Sequence, residues 1–407
     1  MQQHVAFVVP FRFETSLRFL RATLDVPGCV VSLLTQEPKE AFDPELLRRL
    51  AGFQQVKDAL SAGHLVDGVR QLAQRLGPVD RLIGVLEQLQ VPLAEARAAL
   101  RLPGLSIDAA VNFREKSRMK DVLRAAGLPC ARHTKATSLA EVRSFVGAVG
   151  YPLVMKPIDG AGARNTFRIE NDTQLAEALG SFPPNASAPM MLEEFIVGDE
   201  HSYDAVAVRG EVVWHSISRY SPSPLTVKEN DWIQWTVLLP REISGPEFAG
   251  IRAVGPRSLK ALGVGTQLCH MEWFRRKDGS VAVSEVGARP PGAQFTTLMS
   301  WCHDVDMYKA WARLMVHDAF DPPQRKFAAG AAYLRGQGHG KVVRIHGLDV
   351  AQKELGHLVV EVRLPKAGQE HATTYEGDGY VILRHPETSV VEEGLKRLVS
   401  IVRVELQ

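Results

Sequence analysis

Glu272 and Glu285 are the residues of this sequence best suited to chemistry by type and spacing. The runs Leu268 to Phe274 and Val281 to Val286 flank Lys277-Asp278-Gly279-Ser280, and Asp-Gly between two apolar runs predicts a β-hairpin. A loop centred on Asp278-Gly279 places Glu272 directly opposite Glu285. Alternation then predicts one face with His270, Glu272 and Phe274 beside Val283, Glu285, Gly287 and, if pairing continues, Arg289. The other face takes Cys269, Met271 and Trp273 with Ala282, Ser284 and Val286, and is mostly apolar. Like charges facing each other on a sheet repel. A hard divalent cation held by oxygen would neutralise them, and Arg289 would meet the anions such cations accompany. The plainer alternative is a solvent-facing hairpin with both carboxylates splayed into water.

Further charged residues precede the hairpin in a definite order. Lys116 lies in a charged helix expected from about Asp108 to Gly127. Tyr151 to Pro157 reads as a strand ending in Lys156, and the small-residue loop Asp159 to Ala163, with Gly160 and Gly162, follows. Met190 to Ile196 reads as a buried strand containing Glu193 and Glu194, and a carboxylate inside an apolar strand requires a partner. Glu200 follows Gly198-Asp199. His270 reads equally well as a structural or a catalytic histidine, whereas Trp232, Trp235 and Trp273 read as packing residues.

This ordered set resembles the ATP-grasp superfamily, and within it the carboxylate–amine ligases of the L-amino-acid (dipeptide) ligase type. The resemblance runs from about Val5 to the C-terminal region. It implies that Lys116 and Lys156 hold ATP phosphates, as compact charges on flexible stems can. Gly160 and Gly162 would cover the phosphates with backbone N–H groups. Glu193, Glu194, Phe195 and Ile196 would read the adenine edge, and Glu200 the ribose hydroxyls. Glu272 and Glu285 would hold Mg2+ (or Mn2+), and Arg289 would stabilise the anionic transition state. Many members carry an asparagine two residues after the second metal glutamate. Here that position is Gly287, and Arg289-Pro290-Pro291-Gly292 is similar to purine-pathway members.

The elements that must position these residues follow from patterning. Val5–Val9, Cys29–Leu34 and Arg81–Leu86 read as strands, with Thr15–Leu24 as a helix between the first two. Strands alternating with helices imply a parallel α/β sheet. Pro10-Phe11-Arg12-Phe13 replaces the glycine-rich turn of a dinucleotide fold, so NAD is not implied. Val359–Leu364 and Tyr380–Leu383 read as strands and Glu387–Val399 as a helix. The expected architecture is α/β, with α+β parts: an ATP-grasp fold with a Rossmann-like domain over 1–105, an ATP-grasp domain over 106–325 with a lid over about 129–188, and a small α+β module over 326–407.

Bulk properties exclude several classes. With 407 residues, 45% hydrophobic content and a net charge of +2, the chain has the composition of a soluble protein of two or three domains. No basic run suggests a nucleic-acid partner. No segment predicts a signal peptide or a membrane span, so cytoplasm is the expected compartment. Cys29, Cys130, Cys269 and Cys302 have no zinc or disulfide spacing.

The sequence therefore points to ATP-dependent carbon–nitrogen bond formation through an acyl phosphate, with small carboxylate and amine substrates. Related ligases suggest a homodimer. The alternatives are a carboxylase that activates bicarbonate for a purine-type intermediate, and an ATP-binding regulator without turnover. The substrate end is placed near Ser218-Arg219-Tyr220 and Gly292-Ala293-Gln294.

Overall fold

The computed structural model describes residues 2–157, 166–230, 233–372, 374 and 376–407. Near the N-terminus, β1 (Gln3–Val8), β2 (Cys29–Thr35), β3 (Gly52–Gln55) and β4 (Arg81–Ile83) form a parallel sheet in the order β3-β2-β1-β4. Both faces of its central strand are covered, so Val5 to Val9 is apolar without alternation. Val5 and Phe7 pack towards Phe19, Leu20 and Trp311, whereas Ala6 and Val8 pack towards Leu65 and Leu72. The segment expected to be a strand through Leu86 leaves the sheet after Ile83, and Glu87–Leu89 forms a 3-10 turn. That turn carries a glutamate to the edge of the functional cleft.

The helix expected from Asp108 to Gly127 is two helices, Ile107–Arg114 and Lys116–Ala125. Glu115 separates them in an extended conformation (φ −91°, ψ 108°). No proline or glycine announces this break. Its effect is to start a new helix at Lys116, with Lys120 one turn later on the same face.

Next comes a layer with its own core. β5 (His133–Ala136), β6 (Leu153–Pro157), β7 (Phe167–Ile169) and β8 (Met190–Glu194) form an antiparallel sheet in the order β5-β8-β6-β7. The helices Leu139–Val149 and Asp172–Ser181 pack on it through Val142, Phe145, Leu175 and Ala178. The first helix begins with a reciprocal capping box between Ser138 and Glu141.

The largest sheet is antiparallel throughout. It contains β9 (Asp199–Val208), β10 (Glu211–Ser221), β11 (Trp235–Leu239), β12 (Gln267–Arg275), β13 (Val281–Gly287) and β14 (Ala328–Leu334). From the last eighty residues it also takes β17 (Val359–Arg363) and β18 (Gly379–His385), giving the order β13-β12-β9-β10-β11-β14-β18-β17. The C-terminal strands thus extend the central sheet. Only β15 (Gly336–Gln337), β16 (Val342–His346) and β19 (Arg403–Leu406) form a separate small sheet there. The C-terminal helix Thr388–Ile401 covers this region through Val391, Leu395 and Leu398.

Among the described residues no helix is long and apolar enough to cross a membrane. The four cysteines are free thiols. Trp235 and Trp273 are buried as expected of packing residues, while Trp232 lies outside the described residues.

Candidate active site

β12 and β13 form the expected hairpin, and Glu272 stands opposite Glu285. The route to this register differs from the expected one. The turn runs over Arg276 to Ser280: the Ser280 carbonyl accepts from Arg276 N–H at 2.8 Å and the Arg276 carbonyl from Gly279 N–H at 2.9 Å. Gly279 takes φ +81°, a conformation glycine adopts without strain. This loop is one residue longer than assumed, so Trp273 pairs with Val283 and Phe274 with Ala282. A β-bulge then inserts Ser284 and restores the pairing of the two glutamates. Val283 and Ala282 therefore exchange the faces expected of them. Val283 joins Met271 and Trp273 in the core, and Ala282 packs with Ala131 and Ile196 near Phe274.

Rows of polar side chains cross the open face of this sheet. Glu285, Glu272, Ser202 and Ser218 are aligned across β13, β12, β9 and β10. The next row contains Gly287, His270, Asp204 and Ser216. Glu200 stands beside Phe274 in the row nearer the hairpin turn. A cleft of about 1470 Å³, counted to its open mouth, lies over this face and is bounded opposite by β6 and β8.

Three lysines enter the cleft. The Lys116 ammonium lies 3.0 Å from Glu285 Oε1. Lys120 donates to the Ser284 carbonyl at 2.8 Å and lies 3.0 Å from Glu193 Oε2. The bulge thus turns a carbonyl out towards a lysine. Lys156 forms a short ion pair with the other oxygen of Glu193. Lys156 lies opposite Met191, two residues from Glu193, so the two side chains share a face of their sheet.

These contacts set the protonation states. Burial alone would raise the Glu193 carboxyl, but Lys120 and Lys156 outweigh it and hold it at about 2. For Glu285, burial is likewise outweighed by Lys116 and Lys156, and the carboxyl is lowered. Burial opposes the charge on Lys156, yet Glu193 and Glu285 raise it above the usual ammonium value. Glu200 moves the other way: burial and the nearby Glu272 carboxylate raise it well above the usual range. His270 is raised to about 9, because Asp204 and Glu272 outweigh its burial.

The remaining expected residues fall as follows. Glu193, Glu194, Phe195, Ile196, Glu200 and His270 all line the cleft. The Glu193 carboxylate is occupied by lysines, so its side chain does not stand free for a base edge. Glu194 is held by Arg132 at 2.5 Å and Arg276 at 3.4 Å, and the Phe195 ring lies under the Arg168 guanidinium at 4.4 Å. Gly160 and Gly162 lie outside the described residues. Arg289 lines the cleft but not through continued pairing, since β13 ends at Gly287. It forms a short ion pair with Glu87 and donates to the Pro290 carbonyl at 2.9 Å.

Glu87 also explains the space at Gly287. A Cβ on that glycine would meet Glu87 Oε2 at 3.3 Å, so a carboxylate from the 3-10 turn Glu87–Leu89 fills the room a side chain would use. At the substrate end, Tyr220, Gly292 and Ala293 line the cleft. Arg219 instead reaches the other face, 5.4 Å from the centre of the Phe248 ring. Sequence reasoning missed Lys120, Glu87 and Asp204. For Lys120 a signal existed, since it follows Lys116 by one helical turn.

An ATP-grasp domain profile matches residues 121–302, which contain Lys156, the β8 acids and the whole hairpin. Residues 121–302 therefore carry an ATP-grasp domain. An uncharacterised protein of Sinorhizobium fredii is 27% identical over 336 residues, covering 80% of this chain and 69% of its own length. The L-arginine-specific L-amino acid ligase of Bacillus subtilis is 24% identical over 249 residues, 60% of this chain and 59% of its own length. Among solved structures, the L-amino acid ligase of Bacillus licheniformis superposes with a TM-score of 0.79 at 20% identity, covering 100% of this chain and 99% of that one. That likeness establishes a shared ATP-grasp fold over the whole length.

The opposed carboxylates suit a cation by geometry and charge, and the Lys116 ammonium already supplies one at Glu285. Among the described residues no three His, Cys, Asp or Glu side chains gather closely enough to hold a metal alone. A divalent ion at Glu272 and Glu285 would draw its other oxygens from a bound phosphate and water.

Proposed function

We propose that this ATP-grasp chain is an ATP-dependent carboxylate–amine ligase that makes an amide or peptide bond from amino-acid substrates. The observation that carries the reading is one cleft in which Lys116 pairs with Glu285, opposed by Glu272, while Lys120 and Lys156 pair with Glu193 and Arg289 lines the same wall. In this reading the lysines exchange their carboxylate partners for phosphate oxygens when ATP binds. Release of Glu285 from Lys116 frees it, with Glu272, to hold Mg2+ or Mn2+. That ion, when bound, offsets the negative charge of the phosphates.

A substrate carboxylate oxygen attacks the γ-phosphorus, the bond to the bridging oxygen breaks, and ADP leaves. The amine nitrogen then attacks the acyl carbon, phosphate departs and the nitrogen loses a proton. Charge compensation and alignment dominate such chemistry. Arg289 serves the anionic carboxylate and phosphoryl oxygens. Gly160 and Gly162 cover the phosphates, and the layer over about 129–188 closes to keep water from the acyl phosphate. Backbone groups of Glu194 to Ile196 read the base, and Glu200 meets the ribose. The division proposed is 1–105, 106–325 and 326–407, the last lending β14, β17 and β18 to the sheet of the second, with a cytoplasmic homodimer as the working form.

The Glu87–Arg289 pair favours amino acids over bicarbonate. Both partners are largely shielded, with side-chain exposures of 12% and 23%. A zwitterion can replace this pair charge for charge, whereas bicarbonate would leave Glu87 without a cation. ADP release from Mg-ATP should require an amino acid together with an amine. Release driven by bicarbonate alone would instead identify a carboxylase, and tight ATP binding without ADP across a broad panel would identify a regulator.

A further inference from the structure

Asp204 is fully buried beneath the cleft and does not line it. It lies on β9 between His270 of β12 and Ser216 of β10. Asp204 Oδ1 is 2.6 Å from His270 Nδ1, and Oδ2 accepts from the Ser202 hydroxyl at 2.8 Å. Ser202 in turn meets the Ser218 hydroxyl at 2.6 Å. A buried carboxylate is costly without a countercharge. In addition to His270, Arg325 approaches from the segment before β14, donating to Ser216 Oγ at 2.9 Å and the Ile217 carbonyl at 3.2 Å.

Apolar side chains often fill such a position at equal or lower cost, so a buried carboxylate is weak evidence for a stabilising role. Its geometric consequence is to fix one imidazole. With Nδ1 engaged by Asp204, His270 Nε2 is turned towards Glu272 Oε1, 3.8 Å away. The Phe295 ring confines the imidazole edge-to-face, with centroids 5.4 Å apart. We infer that Asp204 is a positioning residue: it orients His270 so that Nε2 faces the reacting end of the cleft, where it meets a substrate carboxylate or phosphoryl oxygen. The Ser202 hydroxyl holds Asp204 for this task, and Arg325 fixes the neighbouring Ser216 and Ile217. The inference rests on the ligase reading and adds to it a buried residue that never touches substrate.

A double-mutant cycle tests it. Hydroxylamine attacks an acyl phosphate to give a hydroxamate and phosphate, so the first half-reaction is read without an amine substrate. Asp204→Asn should lower kcat for hydroxamate formation by about tenfold or more, leaving KM for ATP within about twofold. In a His270→Asn background the same change should cost less than about twofold. An unchanged kcat in Asp204→Asn, or losses that multiply in the double variant, would overturn the inference. Ser202→Ala should give a smaller loss with the same dependence on His270, and serves if Asp204→Asn does not fold. A wild-type protein that forms no hydroxamate with any carboxylate would count against the ligase reading instead. Positioning is then read by 15N-histidine resonances assigned with His270→Asn. A protected His270 Nδ1–H, lost in Asp204→Ala or weakened in Ser202→Ala, supports the inference, and its absence from the wild type contradicts it.

Discussion

Charge pairing in the cleft is a matter of single residues, and Glu193 is the most constrained. It is 5% exposed and bridges Lys120 and Lys156, which hold its carboxyl at about 2 against the effect of burial. A depressed carboxyl contributes stability that is fully present above its unfolded value and is lost as pH falls towards the folded one. Urea unfolding of wild type and Glu193→Gln should therefore differ most above about pH 5, by on the order of 3 kcal/mol. The gap should narrow as pH falls from about 4.5 towards 2; a constant gap would contradict the pairing. Gly287 carries a second prediction. Gly287→Asn forces its side chain against Glu87 Oε2, so it should destabilise by about 1–3 kcal/mol and raise KM for the amino acid more than KM for ATP. Adding Glu87→Ala should recover much of the stability, whereas no recovery in thermal melts would show that the crowding lies elsewhere. Lys116, Lys156, Glu272 and Glu285 were legible because ordered chemical types suffice to find them. Glu87 and Asp204 were not, since their roles depend on contacts with Arg289 and His270, which lie 202 and 66 residues away respectively.

At the scale of elements, the hairpin shows what alternation can and cannot recover. Glu272 and Glu285 are opposed as expected, yet two irregularities cancel to put them there: a longer turn and a bulge at Ser284. Binary pattern could not reveal the bulge, because Ala282 and Val283 are both small, apolar and acceptable on either face. Deleting Ser284 should straighten the strand and take away the carbonyl that positions Lys120, while Glu285 stays opposite Glu272. Mg-ADP should then lose its thermal stabilisation, which at about a hundredfold excess over Kd would amount to roughly 2.7 kcal/mol for wild type. Wild-type stabilisation in the deletion variant would mean that the bulge does not set the site. The helical break at Glu115 is a similar case. Its chain direction depends on docking against the hairpin, with Met119 at the Val286 N–H and Lys120 at the Ser284 carbonyl, and no proline or glycine marks it. Element types and most strands were legible, but these offsets came from tertiary contacts.

At the scale of the whole molecule, the cleft gathers parts from distant segments of the chain. Glu87 comes from the edge of the N-terminal sheet, Lys156 and Glu193 from the overlying layer, and Glu272 and Glu285 from the large sheet. The C-terminal strands continue that sheet, so the last eighty residues brace the cleft's floor. Composition and α/β alternation made the architecture legible, whereas the shared sheet required long-range pairing between β14 and β18. The central claim is that Glu285 and Glu272 serve the phosphates of ATP during carboxylate activation. The most direct measurement is phosphate release from Mg-ATP with paired amino acids and amines, comparing wild type with Glu285→Gln. The account predicts substrate-dependent release in the wild type and a loss of about a hundredfold or more in the variant. Release at the wild-type rate from Glu285→Gln would contradict it.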